Sequence, residues 1–349
     1  MLSNILFYNF FFILSLVIAY FYELTRKKIF TNLLLFILFI FCGLRYKVGN
    51  DYESYQNIFY AIKSGFESYV EPGFYLLNII FSKTNNGFYY VFGIVSFVTI
   101  YLYLRALIKF RVVLLGVFFL FTAEYLFFIN DIIRQGLAIA IFLNLISAIS
   151  SNKTIKIYII VLISTFTIHY SAIVLLLVNF LKRIKVNNLV WAVLITLSAI
   201  LYFLGYFKNS FPLLIGLIPY YGERYLVLQE GEFLDNVELG SGLGVLFKYI
   251  TYMFVAVYST RQKNDIIFNL FMFGCVLQFV FLDYFLPLRV LEYFLYLKLI
   301  LYSVLVKYEW DLKKSIIFII LHIIYFEYLL IVSGGKHGGF PYNNILLNI

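Results

Sequence analysis

Charge is what this chain has least of. Asp, Glu, Lys and Arg together make up 13% of its 349 residues, against about a quarter in an ordinary soluble domain. Cysteine is nearly absent: Cys42 and Cys275 both lie in apolar stretches, which excludes a disulfide framework and gives no zinc-ligand spacing. No basic run is longer than Arg26-Lys27-Lys28, so the net charge of +9 does not point to nucleic acid. There is no GxxxxGK[ST] loop, which leaves no P-loop ATPase, and no Asp-x-Asp pair for metal-bound nucleotide-sugar chemistry. Gly240-Ser241-Gly242-Leu243-Gly244 follows no strand and reads as a turn before a helix. No cofactor and no metal are expected.

What is abundant is hydrocarbon. The chain is 63% hydrophobic with a mean hydropathy of +0.92. A soluble fold of this length cannot bury that much apolar surface, so the solvent must be lipid. Spanning candidates of the length a bilayer requires occur at 5–22, 29–44, 88–104, 112–129, 132–149, 189–207, 245–259, 266–282, 288–305 and 316–332. The segment 157–181 differs, with Thr165, Thr167, His169, Tyr170 and Ser171 at its centre. It reads as one tilted helix or as a re-entrant or broken pair of half-helices. The expected fold is an all-α polytopic membrane protein, a single domain over 1–349, with about ten transmembrane helices and this pair.

Basic loops set the topology. They occur at Arg26–Lys28, Arg105–Arg111, Lys153–Lys156, Lys182–Lys185, Arg261–Lys263 and Lys307–Lys314. All six lie in the cytoplasm if 157–181 is re-entrant, which favours that reading by the positive-inside rule. The first apolar run has no basic region before it, which argues against a cleaved signal peptide and puts the N-terminus outside. Two long loops, 45–87 and 208–244, then face outward with the C-terminal tail. The cytoplasmic loops are too short for a nucleotide-binding domain.

Five polar constellations are candidates for chemistry at the outer face. Arg45, Asp51, Tyr52 and Tyr55 follow an apolar run. Arginine suits phosphate through its planar, permanently charged fork, and Asp51 suits proton acceptance. The plainer alternative is a helix-end anchor followed by a turn at Gly49-Asn50. Arg134 and Gln135 follow Asn130-Asp131 in a short turn between apolar runs. There an anion would meet a helix N-terminus, or Arg134 would simply snorkel toward Asp131. His169 and Tyr170 lie at membrane depth, where polar groups are usually functional. His169 suits a sugar hydroxyl, a phosphate or a proton, or is a satisfied packing residue. Arg289 follows Pro287, with Glu292 at the spacing of a helical ion pair. Tyr221, Glu223 and Arg224 in the second loop combine aromatics with charge in a way that suits carbohydrate.

These elements, in this order, resemble the EpsG-like family of Wzy-type polysaccharide polymerases. The resemblance rests on Gly43-Leu44-Arg45, Val48-Gly49-Asn50-Asp51-Tyr52 with Tyr55, and Glu71-Pro72-Gly73 with Tyr75. It continues through Ile133-Arg134-Gln135 with Ala138, His169-Tyr170-Ser171-Ala172, Arg289 with Tyr293-Phe294, and Pro341-Tyr342. It implies a metal-independent membrane glycosyltransferase of the bacterial cytoplasmic membrane. Such an enzyme polymerises oligosaccharide repeat units carried on undecaprenyl diphosphate, for O-antigen, capsule or exopolysaccharide. A sugar hydroxyl attacks C1 of the growing chain and undecaprenyl diphosphate leaves. Arg45, Arg134 and Arg289 would hold the diphosphate; Asp51, or else His169, would take the proton. Tyr52, Tyr55, Gln135, Tyr170, Tyr221, Glu223 and Arg224 would contact substrate. Membrane lipid and a chain-length regulator are the other expected partners. A lipid-linked glycan ligase would use much the same site. A flippase or transporter is the alternative from another class, but no internal repeat of the kind common in such folds is evident.

Overall fold

The fold was obtained as a computed structural model, which describes residues 2–66, 68, 70–149, 154–183, 185–207, 242–260, 265–333 and 339–347. Among these the chain is helical and forms no strand; one isolated antiparallel bridge joins Arg45 to Asn344. The chain divides into two compact units, Met1–Asn179 with Tyr296–Ile349, and Phe180–Leu295.

The first unit holds α1 (Leu2–Thr25), α2 (Lys28–Gly43), α3 (Tyr52–Lys63), α4 (Pro72–Ser82) and α5 (Gly87–Phe110). It continues with α6 (Val113–Thr122), α7 (Tyr125–Asp131), α8 (Ile133–Ile149) and α9 (Thr154–Thr167). A 3-10 segment, Tyr170–Leu177, leads into the short α10 (Val178–Leu181). The second unit contains α11 (Asn188–Phe203), α12 (Leu243–Tyr258), α13 (Ile266–Val280) and α14 (Phe285–Leu295). The chain then returns to the first unit through α15 (Lys298–Val304) and α16 (Leu312–Tyr328).

Among the described residues, three helical stretches are long and apolar enough to cross a bilayer: Leu2–Thr25, Gly87–Phe110 and Leu312–Val332. The span expected at 112–129 is broken. Helices α6 and α7 meet at 64°, and Glu124 at the break adopts a left-handed φ of 68°. Its carboxylate accepts a hydrogen bond from the Tyr325 hydroxyl and lies 4.0 Å from Lys298 Nζ. Paired in this way, a charge between two apolar helices is tolerable. Of the other expected spans, those at 29–44, 132–149, 189–207, 245–259 and 266–282 are present as shorter apolar helices.

The loop expected at 45–87 is largely helical. In α3 the residues Tyr52, Tyr55, Phe59 and Ile62 are buried, the spacing of one helical face. Helix α4 starts with Glu71 at the N-cap and Pro72 in its first turn, where proline sacrifices no hydrogen bond. The segment expected to be tilted or re-entrant breaks at Ile168-His169, and its two arms pack against each other.

Two ends of the first unit are well separated, because α1 has 24 residues and rises about 1.5 Å per residue. At one end the start of α1 meets the C-terminal segment: Tyr8 donates to the Gly339 carbonyl (2.8 Å) and Tyr342 N–H to Asn4 Oδ1 (3.3 Å). At the other end Glu23 accepts from Val113 N–H (3.0 Å) and pairs with Lys307 (3.0 Å). Arg26, Lys27, Lys28 and Arg111 are exposed there. The second unit is tied by its own polar bonds, among them Trp191 Nε1 to Asn269 Oδ1 (2.9 Å) and Tyr202 hydroxyl to Asp283 Oδ1 (3.1 Å).

Candidate functional site

In the first unit Glu71, Arg134 and His169 form one ionic cluster. Glu71 Oε2 pairs with the Arg134 guanidinium. Glu71 Oε1 lies 2.7 Å from His169 Nδ1 and accepts the Tyr170 backbone N–H at 3.1 Å. The Glu71 side chain is 2% exposed, those of Arg134 and His169 19% and 20%. The carboxylate is therefore buried, while both of its partners reach the surface of the unit.

Each member is held by local sequence. Glu71 is fixed by the Pro72 helix start. Gly73 lets α4 approach the end of α9, because a Cβ there would lie 2.3 Å from the Thr167 carbonyl oxygen. His169 sits at the break with extended backbone, φ −160° and ψ 123°. Arg134 is the second residue of α8; its guanidinium lies over the rings of Phe74 (5.3 Å) and Tyr55 (5.5 Å). Its Nε has no hydrogen-bond partner. Beside the cluster is a cavity of about 160 Å³ lined by Gly73, Phe74, Leu77, Val95 and Ile168, with Arg134 in its wall.

Glu71 is held ionised by its partners. Burial pushes the Glu71 carboxyl upward, but the His169 hydrogen bond and the Arg134 charge outweigh it and hold the pKa at about 2. An ionised carboxylate only accepts, so the 2.7 Å contact puts the proton on His169 Nδ1. In the neutral tautomer so oriented, the lone pair lies on Nε2. The cluster thus contains a buried anion, an oriented imidazole and a guanidinium, a set suited to deprotonating a hydroxyl beside an anionic group.

Arg45 is placed differently. It is 0% exposed. Its Nε donates to the Val48 carbonyl (3.1 Å), Nη1 to Cys42 and Nη2 to Asn130 (2.6 Å), and it stacks over Phe92 at 4.2 Å. Gly49, at φ +101°, packs against Asn130, where a Cβ would lie 2.6 Å from the carbonyl oxygen. Asn50 N–H donates to Asp131 Oδ1 at 2.9 Å. Asp51 precedes α3 as its N-cap residue without a side-chain capping bond.

Tyr52 and Tyr55 are buried in an aromatic cluster with Phe59, Phe88 and Phe92, so neither offers an open face. Gln135 is also buried, whereas Tyr170 is exposed. Arg289 lies half-buried on α14, in the second unit. Tyr221, Glu223 and Arg224 lie outside the described residues.

Glu71 was visible in the sequence only as part of the Glu-Pro-Gly element, without a chemical role. An acid directly before a helix-starting proline and a close-packing glycine was the available signal. Its partners, 63 and 98 residues away, gave none.

Comparison with known proteins agrees with the ordered motifs. The EpsG family profile matches residues 28–344, which is most of the chain. No curated protein and no solved structure matches it. The chain belongs to the EpsG family, a Wzy-like polysaccharide polymerase family.

Proposed function

We propose that this EpsG-family membrane protein joins oligosaccharide repeat units carried on a lipid diphosphate, undecaprenyl diphosphate, at the outer face of the bacterial cytoplasmic membrane. The carrying observation is the Glu71–Arg134–His169 cluster. Glu71 fixes the His169 tautomer, and Nε2 takes the proton of the acceptor hydroxyl as its oxygen bonds to C1 of the donor sugar. The C1–O bond to the diphosphate breaks with its electron pair, and Arg134 stabilises the charge that accumulates on the departing oxygens. The donor is already activated, so the reaction needs no nucleotide.

This reading moves the base from Asp51, the first expectation, to His169, whose imidazole is oriented by a buried carboxylate. The site lies toward the end of the first unit opposite Arg26–Lys28 and Arg111, an arrangement that supports an outward-facing site by the positive-inside rule. The shorter apolar helices serve as further spans of a multi-pass protein.

The test is polymer length. Purified protein supplied with the lipid-linked repeat unit should build a ladder of chains, and His169→Gln should leave single units. Growth of the ladder at the wild-type rate in His169→Gln would remove the proposed base. Transfer of the glycan to a different lipid acceptor, with no ladder, would identify a ligase.

A further inference from the structure

The surroundings of Arg45 differ from those of a ligand-binding arginine. A helix leaves its last four carbonyls without partners and carries partial negative charge at that end. Cys42 and Asn130 supply such carbonyls at the ends of α2 and α7, and Arg45 donates to both at once. With Nε on Val48 and no exposed surface, its fork is spent on backbone.

The backbone of this node is held from a second direction. Tyr46 N–H donates to the Asn343 carbonyl (2.9 Å) and Ile345 N–H to the Leu44 carbonyl (2.7 Å). Asn344 Nδ2 donates to Ile40 (3.0 Å) and the Tyr342 hydroxyl to Phe41 (2.8 Å). Tyr342 also stacks on Phe41 at 4.8 Å. The C-terminal segment is thus a strap across the end of α2. Beyond Asn130, only Asp131, Ile132 and Ile133 separate the capped carbonyl from Arg134.

We propose that Arg45, held by the 339–347 strap, is a positioning residue that caps α2 and α7 together and so fixes where α8 presents Arg134 to Glu71. It acts through Arg134 and does not touch the substrate diphosphate. The proposal rests on the reading of Glu71, Arg134 and His169 as the transfer site.

Steady-state kinetics of the full-length protein in nanodiscs test it, with the cell's own lipid-linked repeat unit as substrate. Arg45→Lys should lower kcat by about 10- to 100-fold, the cost of misplacing a reacting group by about an ångström. KM for the lipid-linked unit should stay within about threefold. In an Arg134→Lys background the Arg45→Lys change should add little, because residues acting through one another are not additive. A KM raised about tenfold at unchanged kcat would make Arg45 a substrate ligand and overturn the proposal, and so would multiplicative effects in the double variant.

If Arg45→Lys fails to fold, Tyr342→Phe and Asn344→Ala each remove hydrogen bonding from the strap alone. Each should lower kcat by about two- to tenfold at constant KM, and Arg134→Lys should again mask the loss. Wild-type kinetics in both would overturn the strap's part in positioning. Wild-type kinetics in Arg134→Lys itself would sink the transfer-site reading, an outcome separate from failure of the Arg45 proposal.

Discussion

Two arginines in the same unit show what burial and partners decide. Arg45 is wholly enclosed and satisfied by carbonyls. Arg134 is 19% exposed, paired with a carboxylate, and leaves Nε unpartnered. In sequence the two look alike, each set among residues that favour turns beside an apolar run. A guanidinium fully enclosed among fixed carbonyl dipoles presents no donor to a ligand at the surface and serves the scaffold. One held by a single buried acid retains donors for an anionic substrate, with its orientation already set.

The comparison breaks most readily at the acid. Glu71→Gln removes the charge that orients His169 and balances Arg134, so chain growth should fall by about 10²- to 10⁴-fold, the usual range for lost general-base catalysis. A ladder assay on the purified variant checks this, and near-normal ladders would separate the cluster from the chemistry. A slightly smaller loss, about 10- to 100-fold, is expected for Gly73→Ala, because the added methyl collides with the Thr167 carbonyl and shifts His169. Gly93→Ala, whose Cβ meets only ordinary contacts at 3.8 Å, is the matched control and should retain activity.

Stability should separate the two arginines in the opposite order. Arg45→Gln leaves buried helix-end carbonyls without donors, at a cost of about 2–4 kcal/mol. Arg134→Gln should cost less, since Arg134 is partly exposed and the Glu71 carboxylate it leaves keeps its contacts with His169 and the Tyr170 N–H. Melting of both variants in one detergent tests the ranking, and equal losses would contradict it.

The smallest expected effect is on pH dependence. The Glu71 pKa is depressed from an ordinary 4.5 to about 2 on folding. Its stabilisation is therefore complete above about pH 4.5 and is lost as pH falls toward about 2. The difference in melting temperature between wild type and Glu71→Gln should stay constant from neutral pH to about 5 and shrink below that. A difference that grew on acidification would reverse the sign of the linkage. Asp51→Asn, outside the cluster, should change chain growth by less than about threefold in the ladder assay.

Composition and apolar run length, which are local properties, determined the lipid solvent, the helical class and the three longest spans. Gly49-Asn50 announced a turn, because turn chemistry is also local; the polar centre of 157–181 left one tilted helix and a broken pair both open, and the basic loops favoured the pair. The α3 face at Tyr52, Tyr55, Phe59 and Ile62 was legible in principle from its period, though hidden within a polar stretch expected to be loop. Only the tertiary structure decided which arginine meets an acid and which meets carbonyls. The contacts Arg45–Asn130, Glu71–Arg134 and Glu71–His169 join residues 85, 63 and 98 positions apart. No periodicity or spacing carries such pairings, since they arise when packed helices bring distant turns together and each buried charge must find a partner.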